Sequence, residues 1–373
     1  MAKDKAGHGA IILIIVLLLL PSTGFGFRIR EVSSLPIERT DQIYGQSTGN
    51  IIIKKEDRLV LLNRLQQIRS EVKLDSSQSA VVAENGLFYC FVSKPENEDS
   101  VSSGPTATIY SNREMPLWSV YELAEGICYL APSGDFLVVI SGTVGWFNYK
   151  MLLYHKDRPM MEVDIQSFEN LQFSDDSHFL LIDAGAKGIK LYDADGELIQ
   201  QYGSQKMVAL SGKGKKIAAY DYKGTLRIFD GPRKKLELDL KQLSIRDLIF
   251  RDDINTIAII YDFRIVVLDA VNGTILWEYG SGKEGGLFAS LDISPNNRFV
   301  SCGIDVSKGT SADQQERHIL GYLYVFDIEG QTLQEIKYEY ENYSKGLPNV
   351  EFLSDNRTIA VRNAESLHFV EIY

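Results

Sequence analysis

Short apolar runs alternate with polar turns along most of the chain. Residues 136–140, 179–182, 217–220, 257–261, 299–302 and 359–361 are compact runs of aliphatic and aromatic side chains. Each follows a turn built from Ser, Gly, Asn, Asp or Pro, such as Pro132-Ser133-Gly134-Asp135, Ser211-Gly212-Lys213-Gly214 or Pro295-Asn296-Asn297. Residue types of this kind, bounded in this way, predict short strands. Downstream of each run a second one closes on an aspartate: Leu191-Tyr192-Asp193, Ile228-Phe229-Asp230, Val267-Leu268-Asp269 and Val325-Phe326-Asp327, spaced by 37, 39 and 58 residues. Leu61-Leu62-Asn63, Ile109-Tyr110-Ser111 and Leu153-Tyr154-His155 fill the same slot upstream, and His368-Phe369-Val370 begins an eighth unit. After the slot come a second turn, for example Asp193-Ala194-Asp195-Gly196, and a fourth strand. A repeat of about forty residues with four short strands is an antiparallel meander, and one such sheet leaves both faces bare. Stacked into a ring, the units cover one another, so the pattern predicts an all-β β-propeller.

Eight four-stranded blades are favoured, with seven as the alternative if the weak first unit, residues 37–75, is not a full blade. The last unit supplies only three strands before the chain stops, which would leave an open sheet edge. Residues 27–32, Phe-Arg-Ile-Arg-Glu-Val, alternate and are expected to add the missing outer strand and close the ring.

One unit carries a sharper signature. The stretch 266–280 has Asp269, a turn ending at Gly273, Trp277 four residues later and Gly280 at its close, and it resembles the quinoprotein-type (PQQ-like) repeat. Other units resemble WD40-like repeats, with turns such as Ser294-Pro295-Asn296-Asn297, although the Gly-His and Trp-Asp signatures are missing. The resemblance implies a propeller, and it makes plausible the assembly role that quinoprotein-like propellers play in cell envelopes. Quinone-dependent dehydrogenases of that kind use a vicinal Cys pair, a calcium ion and an Asp base, and no two cysteines are adjacent here. The sequence also has no His-x-x-x-His, Cys-x-x-Cys, calcium loop, Gly-x-Ser-x-Gly or phosphate-binding Gly-rich loop. A non-catalytic protein with no cofactor and no metal is therefore expected. The repeated aspartates close the third strand of successive units, where a short carboxylate bonds the following turn, so a structural role is expected for them.

Composition narrows the partners. With 39 Lys+Arg against 50 Asp+Glu the formal charge is −11, which repels a nucleic-acid backbone. Lys3 and Lys5 precede an unbroken apolar run at residues 10–20, followed by Pro21-Ser22-Thr23-Gly24-Phe25-Gly26. Eleven apolar residues suit a secretory signal, which needs about 7 to 15, better than a spanning helix, which needs roughly 20. Residues 1–26 therefore read as a cleaved signal, with an uncleaved membrane anchor as the alternative, and residues 27–373 as one propeller domain exported to a periplasmic, extracellular or outward-facing position. Cys90, Cys128 and Cys302 read as buried free thiols, with a Cys90–Cys128 bridge as the alternative.

The clue to function is where the repeat is stretched. Links between second and third strands lengthen at residues 94–106, 142–149 and 303–321, and equivalent links of a propeller lie on one face of the disc. The second insertion carries Trp146, Phe147 and Tyr149, and the third carries Arg317 and His318 near its end. Aromatic and arginine side chains anchor interfaces, so these five are the candidate binding residues. The expected partner is a protein, captured by a scaffold on the outer side of a membrane. A small-molecule or glycan sensor using the central channel and the same aromatics is the alternative, and an enzyme would need convergent ionisable groups at the channel mouth.

Overall fold

The computed structural model describes residues 28–373, apart from 39, 46–50, 64, 94–104, 143–148, 166, 241–244, 252–254, 262, 281–285, 295, 308–318, 341–348, 354 and 363–365. It contains eight four-stranded antiparallel sheets. In chain order, blade 1 spans residues 42–73, blade 2 78–120, blade 3 127–165, blade 4 170–202, blade 5 207–239, blade 6 245–280 and blade 7 286–340. Blade 8 combines residues 349–372 with the N-terminal strand Ile29–Pro36. The first seven sheets pair their strands in sequence order. First strands of blades 5, 6, 7 and 8 approach their neighbours within 8 Å, Cα to Cα, which sets the first strand of each blade at the axis and the fourth at the rim.

The burial pattern follows from that arrangement. Middle strands have a neighbouring blade on each face, so they read as continuous apolar runs. In blade 6 the second strand, Thr256–Tyr261, is buried at every position but the last. Rim strands are half covered and alternate, as Arg233–Asp239 does in blade 5. The apolar residues pack into eight clusters, one at each seam of the ring. At the seam between blades 8 and 1, Leu353, Leu367 and Phe369 meet Ile51, Val60 and Leu62. Each fully buried side chain of this size contributes about 1.5–3 kcal/mol, so the seams are the main source of stability.

The chain's two ends close the ring. Ile29 pairs with Ile372 and Pro36 with Ser366, across a bulge between Glu31 and Ser33. Arg28 and Tyr373 exchange both backbone hydrogen bonds at 2.8 Å. The expected closing strand is thus present, but it runs over Ile29–Pro36 rather than residues 27–32. The weak first unit is a full blade of Gln42–Tyr44, Ile52–Lys54, Arg58–Leu62 and Ile68–Lys73, which removes the seven-blade alternative. In blade 8 the repeated slot falls one residue later than the sequence pattern suggests. Phe179 pairs with Asp193, and its equivalent Thr358 pairs with Glu371 rather than Val370.

Three of the four repeated aspartates serve the turns, and the fourth, Asp230, stands 3.7 Å from Lys235 Nζ. Asp193 Oδ1 accepts from the Asp195 and Glu197 amides at 3.1 and 2.9 Å, Asp269 Oδ1 from Val271 at 2.7 Å, and Asp327 Oδ1 from Gln331 at 2.7 Å. Asn63 does the same in blade 1, accepting from Leu65 at 2.8 Å. Trp277 of the quinoprotein-like repeat ties blade 6 to blade 7: its Nε1 donates to the Ile328 carbonyl at 2.8 Å. Gly330, at φ +90°, lets the turn of blade 7 lie on that indole, since a Cβ there would stand 2.5 Å from Trp277 Cγ.

Candidate functional site

A four-stranded meander sends its links alternately to opposite ends. Links between first and second strands, and between third and fourth, emerge on one face of the disc, here the turn face. Links between second and third strands, and between blades, emerge on the other, the loop face. The long second-to-third links of blades 2, 3 and 7 span residues 94–105, 143–148 and 308–318, whereas in the other blades this link is five residues or fewer. The strand ends that flank these three links lie on the loop face. The third is shorter than the sequence suggested. Its flanks continue the ladder as Phe299–Ser307 and Ile319–Asp327, with Ser307 opposite Ile319, so blade 7 has the longest strands in the ring.

Trp146, Phe147, Arg317 and His318 lie outside the described residues. Tyr149 opens the third strand of blade 3, opposite Gly142 and Ile165. It is half-buried against the seam between blades 3 and 4, and its ring covers Gly142. Tyr149 therefore packs at the base of the link. Three aromatics that the repeat pattern did not single out stand on the loop face: Tyr222 and Phe263, 67% and 54% exposed, in the second-to-third links of adjacent blades 5 and 6, and Tyr121, 73% exposed, in the link between blades 2 and 3. The signal for Tyr222 was its place inside the tight turn Asp221-Tyr222-Lys223-Gly224, where no blade can bury it. Asp221 Oδ1 shapes that turn by accepting from the Lys223 and Thr225 amides at 2.8 and 2.9 Å.

The channel is the second candidate. A cavity of about 690 Å³ at the axis is lined by residues of seven blades, among them Glu84, Asp175, Arg251, Asp292 and Glu351. Ionisable groups do converge there. Glu84 keeps solvent contact, yet the enclosing protein, helped by the nearby Asp175 charge, raises its pKa. Asp292, on the first strand of blade 7, is pushed up to about 6 by burial, opposed by the Arg251 charge and by two backbone donors. Those donors are the amides of Phe352 in blade 8, at 2.6 Å, and Ile293, at 2.7 Å. Asp247 repeats the device one blade earlier, accepting from Leu248 at 2.9 Å and from Leu291 of blade 7 at 3.2 Å, and burial raises its pKa too. The Arg251 Nη2 donates to the Ile293 carbonyl at 2.9 Å and stands 3.7 Å from Asp292 Oδ1.

These groups have a structural task. A first strand has one edge facing the channel, where the next blade is turned too far to continue the ladder. Carboxylates reaching sideways from one blade satisfy amides of the next. The sequence pattern did not reveal Asp247 and Asp292, because they sit inside first strands and outside the recurring aspartate slot.

Among the described residues no three His, Cys, Asp or Glu side chains are grouped to hold a metal ion. All three cysteines are free thiols. Cys90 and Cys128 face the seam between blades 2 and 3, and Cys302 the seam between blades 6 and 7. Burial raises the pKa of each, that of Cys128 to about 11.

No family model and no curated protein sequence matches the chain. Solved structures do. BamB from Moraxella catarrhalis superposes with a TM-score of 0.53 at 13% identity, over 92% of this chain and 100% of that one. The C-terminal WD40 domain of Sif2 gives a TM-score of 0.60, also at 13% identity, over 94% of this chain and 100% of its own length. Identity at this level speaks for the fold alone. Together with the eight blades and the closing strand, it shows a β-propeller, the fold that the resemblance to WD40-like and quinoprotein-type repeats implied.

Proposed function

We propose that this propeller is an exported, non-catalytic scaffold that binds a protein partner on its loop face. The observation that carries the reading is the one-sided lengthening of the links in blades 2, 3 and 7, on a face that also presents Tyr222 and Phe263. Loops held on a rigid frame are where recognition usually resides, and exposed aromatics bury large areas at small entropic cost. The apolar run at residues 10–20 supports export. The test is crosslinked affinity purification from native membranes with a C-terminal tag, comparing the wild type with a chain lacking residues 308–315. A defined protein set that is lost on truncation, with unchanged circular dichroism, is the expected result. A set retained in full would refute the role of the loop face, and no specific capture from either form would refute the scaffold.

The channel favours one second reading, a sensor of a small polar ligand, because its cavity of about 690 Å³ carries both carboxylates and a guanidinium. A ligand-dependent rise in Tm that vanishes in Arg251→Gln would support it.

A further inference from the structure

The turn face has its own exposed apolar surface, at Leu198 in blade 4 and Val271, Ile275 and Leu276 in blade 6, and along a run of three consecutive blades. Leu65, Ile68, Met115, Leu117 and Met160 are 72, 55, 53, 47 and 41% exposed. They lie in, or just past, the turns between third and fourth strands of blades 1, 2 and 3, so they follow one arc of the rim over three consecutive blades. Exposed cations alternate with them: Arg69, Arg113, Lys156 and Arg158. Arg113 and Arg158 make no ion pair among the described residues, while Arg69 and Lys156 reach only Glu114 at 3.8 Å and Asp135 at 3.9 Å. With Arg64 of the blade 1 turn, five cations stand against the two carboxylates within these turns, Glu114 and Asp157, an excess of three on a chain of net −11. The matching turns of blades 4 and 7 carry Asp195, Glu197 and Glu329, whereas that of blade 5 is basic at Arg233, Lys234 and Lys235, the last two paired with Glu237 and Asp230.

The N-terminus leaves the fold beside this arc. Ile29 begins the rim strand of blade 8 opposite Ile372, at the turn-face end, and blade 1 is the next blade. Eight residues, 21–28, separate Ile29 from the apolar run at 10–20. Fully extended they span at most about 29 Å, so a run held in a bilayer would bring the turn face toward it.

We propose that the turn-face rim of blades 1–3 docks on an anionic lipid surface. Apolar side chains enter the boundary between headgroups and acyl chains while the flanking cations pair with lipid phosphates. Each cation near such a surface is worth roughly a fivefold gain in affinity. The inference does not rest on the scaffold reading, and it leaves the loop face pointing away from the lipid.

The test is hydroxyl-radical footprinting of the full chain, read by mass spectrometry, with vesicles of phosphatidylglycerol and phosphatidylcholine or of phosphatidylcholine alone. Met115 and Met160 report on the rim, and Tyr222 on the opposite face is the internal control. Anionic vesicles should slow oxidation of both methionines at least threefold and leave Tyr222 unchanged, and Arg113→Glu with Arg158→Glu should abolish the protection while residues 10–20 are intact. Equal oxidation with and without anionic vesicles, equal protection by neutral vesicles, or protection retained in the double variant would each overturn the proposal. Protection of the methionines by a co-purifying acidic protein, with none from vesicles, would assign the arc to a protein and likewise overturn it.

Discussion

Asp292 makes a prediction that separates its electrostatics from its hydrogen bonding. Its carboxyl is held near 6 in the folded chain against an ordinary value of 3.8, chiefly by burial. The charged form is therefore disfavoured by about 3 kcal/mol relative to the unfolded chain. The sign follows from proton uptake. Between those two values the folded protein binds a proton that the unfolded chain does not, so this group's contribution to stability rises as pH falls from about 6 toward 3.8 and is flat outside that window. Relative to pH 7.5, the gain at pH 5 is about 1.4 kcal/mol. Asp292→Asn removes the titration. The amide keeps one acceptor for Phe352 or Ile293 and turns a donor toward the other amide, a cost of about 1–3 kcal/mol that does not vary with pH. Urea unfolding of both proteins at pH 5.0 and 7.5 gives four stabilities. Other carboxyls titrate alike in both, so the wild type should gain about 1.4 kcal/mol more than the variant on acidification. Parallel changes in the two proteins would refute the account of Asp292 as a buried, charge-disfavoured acceptor.

Four further outcomes follow from packing and burial. Gly330→Ala should destabilise by more than about 2 kcal/mol in urea unfolding, because φ +90° is unfavourable for an L side chain and the new Cβ would stand 2.5 Å from Trp277 Cγ. Trp277→Phe, which leaves the Ile328 carbonyl without its donor, should cost about 1 kcal/mol beyond its packing loss. Removing residues 1–36 strips the closing strand from Ser366–Ile372 and opens a sheet edge, so light scattering after gel filtration should show association in place of the species formed by the intact chain. At pH 8, native alkylation followed by mass spectrometry should modify Cys128 about a hundredfold more slowly than an ordinary thiol, since its pKa stands near 11 instead of 9.0, and Cys90 and Cys302 more slowly still.

The repeat was legible because each blade solves one problem in the same way. Middle strands must be apolar on both faces, and a turn must follow at a fixed distance, so runs such as 217–220 and 257–261 stand out beside their Ser, Asn and Gly turns. The Asp slot was legible for the same reason: Asp193, Asp269 and Asp327 satisfy the amides of the turn that follows them in the chain. Contacts between blades left no such trace. Asp247 and Leu291, or Asp292 and Phe352, are 44 and 60 residues apart and meet only once the ring has formed. Nor does the pattern tell a loop from a continued ladder. Residues 303–307, Gly-Ile-Asp-Val-Ser, are mixed enough to pass for an insertion, yet they pair with residues 319–323 and extend the strands of blade 7. The aromatic content of a link is likewise no guide to its role, since Tyr149 packs on a seam while Tyr222, in a turn with no sign of function, stands exposed.

A ring of eight sheets must hold at its axis as well as at its seams, and the polar links there differ with position. Where blades follow one another early in the chain, turn meets turn, with a first-strand link besides, Gln172 Oε1 of blade 4 accepting from Leu210 of blade 5 at 3.3 Å. Gly45 donates to the Glu84 carbonyl at 2.8 Å, Asn85 Nδ2 to that of Pro132 at 2.6 Å, Ser133 to Ser177 Oγ at 2.9 Å, and Asp175 to the carbonyl of Gly212 at 2.8 Å. Between blades 6, 7 and 8 the links move inward to the first strands themselves, through Asp247, Asp292 and Ser290, whose hydroxyl accepts from Val350 at 3.0 Å. Blade 8 is the blade assembled from both ends of the chain, so its fourth strand is brought in at the largest loop-closure cost of any strand. Buried acceptors in its seam with blade 7 hold the three C-terminal strands in register, giving the N-terminal strand a formed edge to join. The acidic lining of the channel is in this view largely a by-product of closure, which is why a search for function turns to the two faces and to the rim beside the N-terminus.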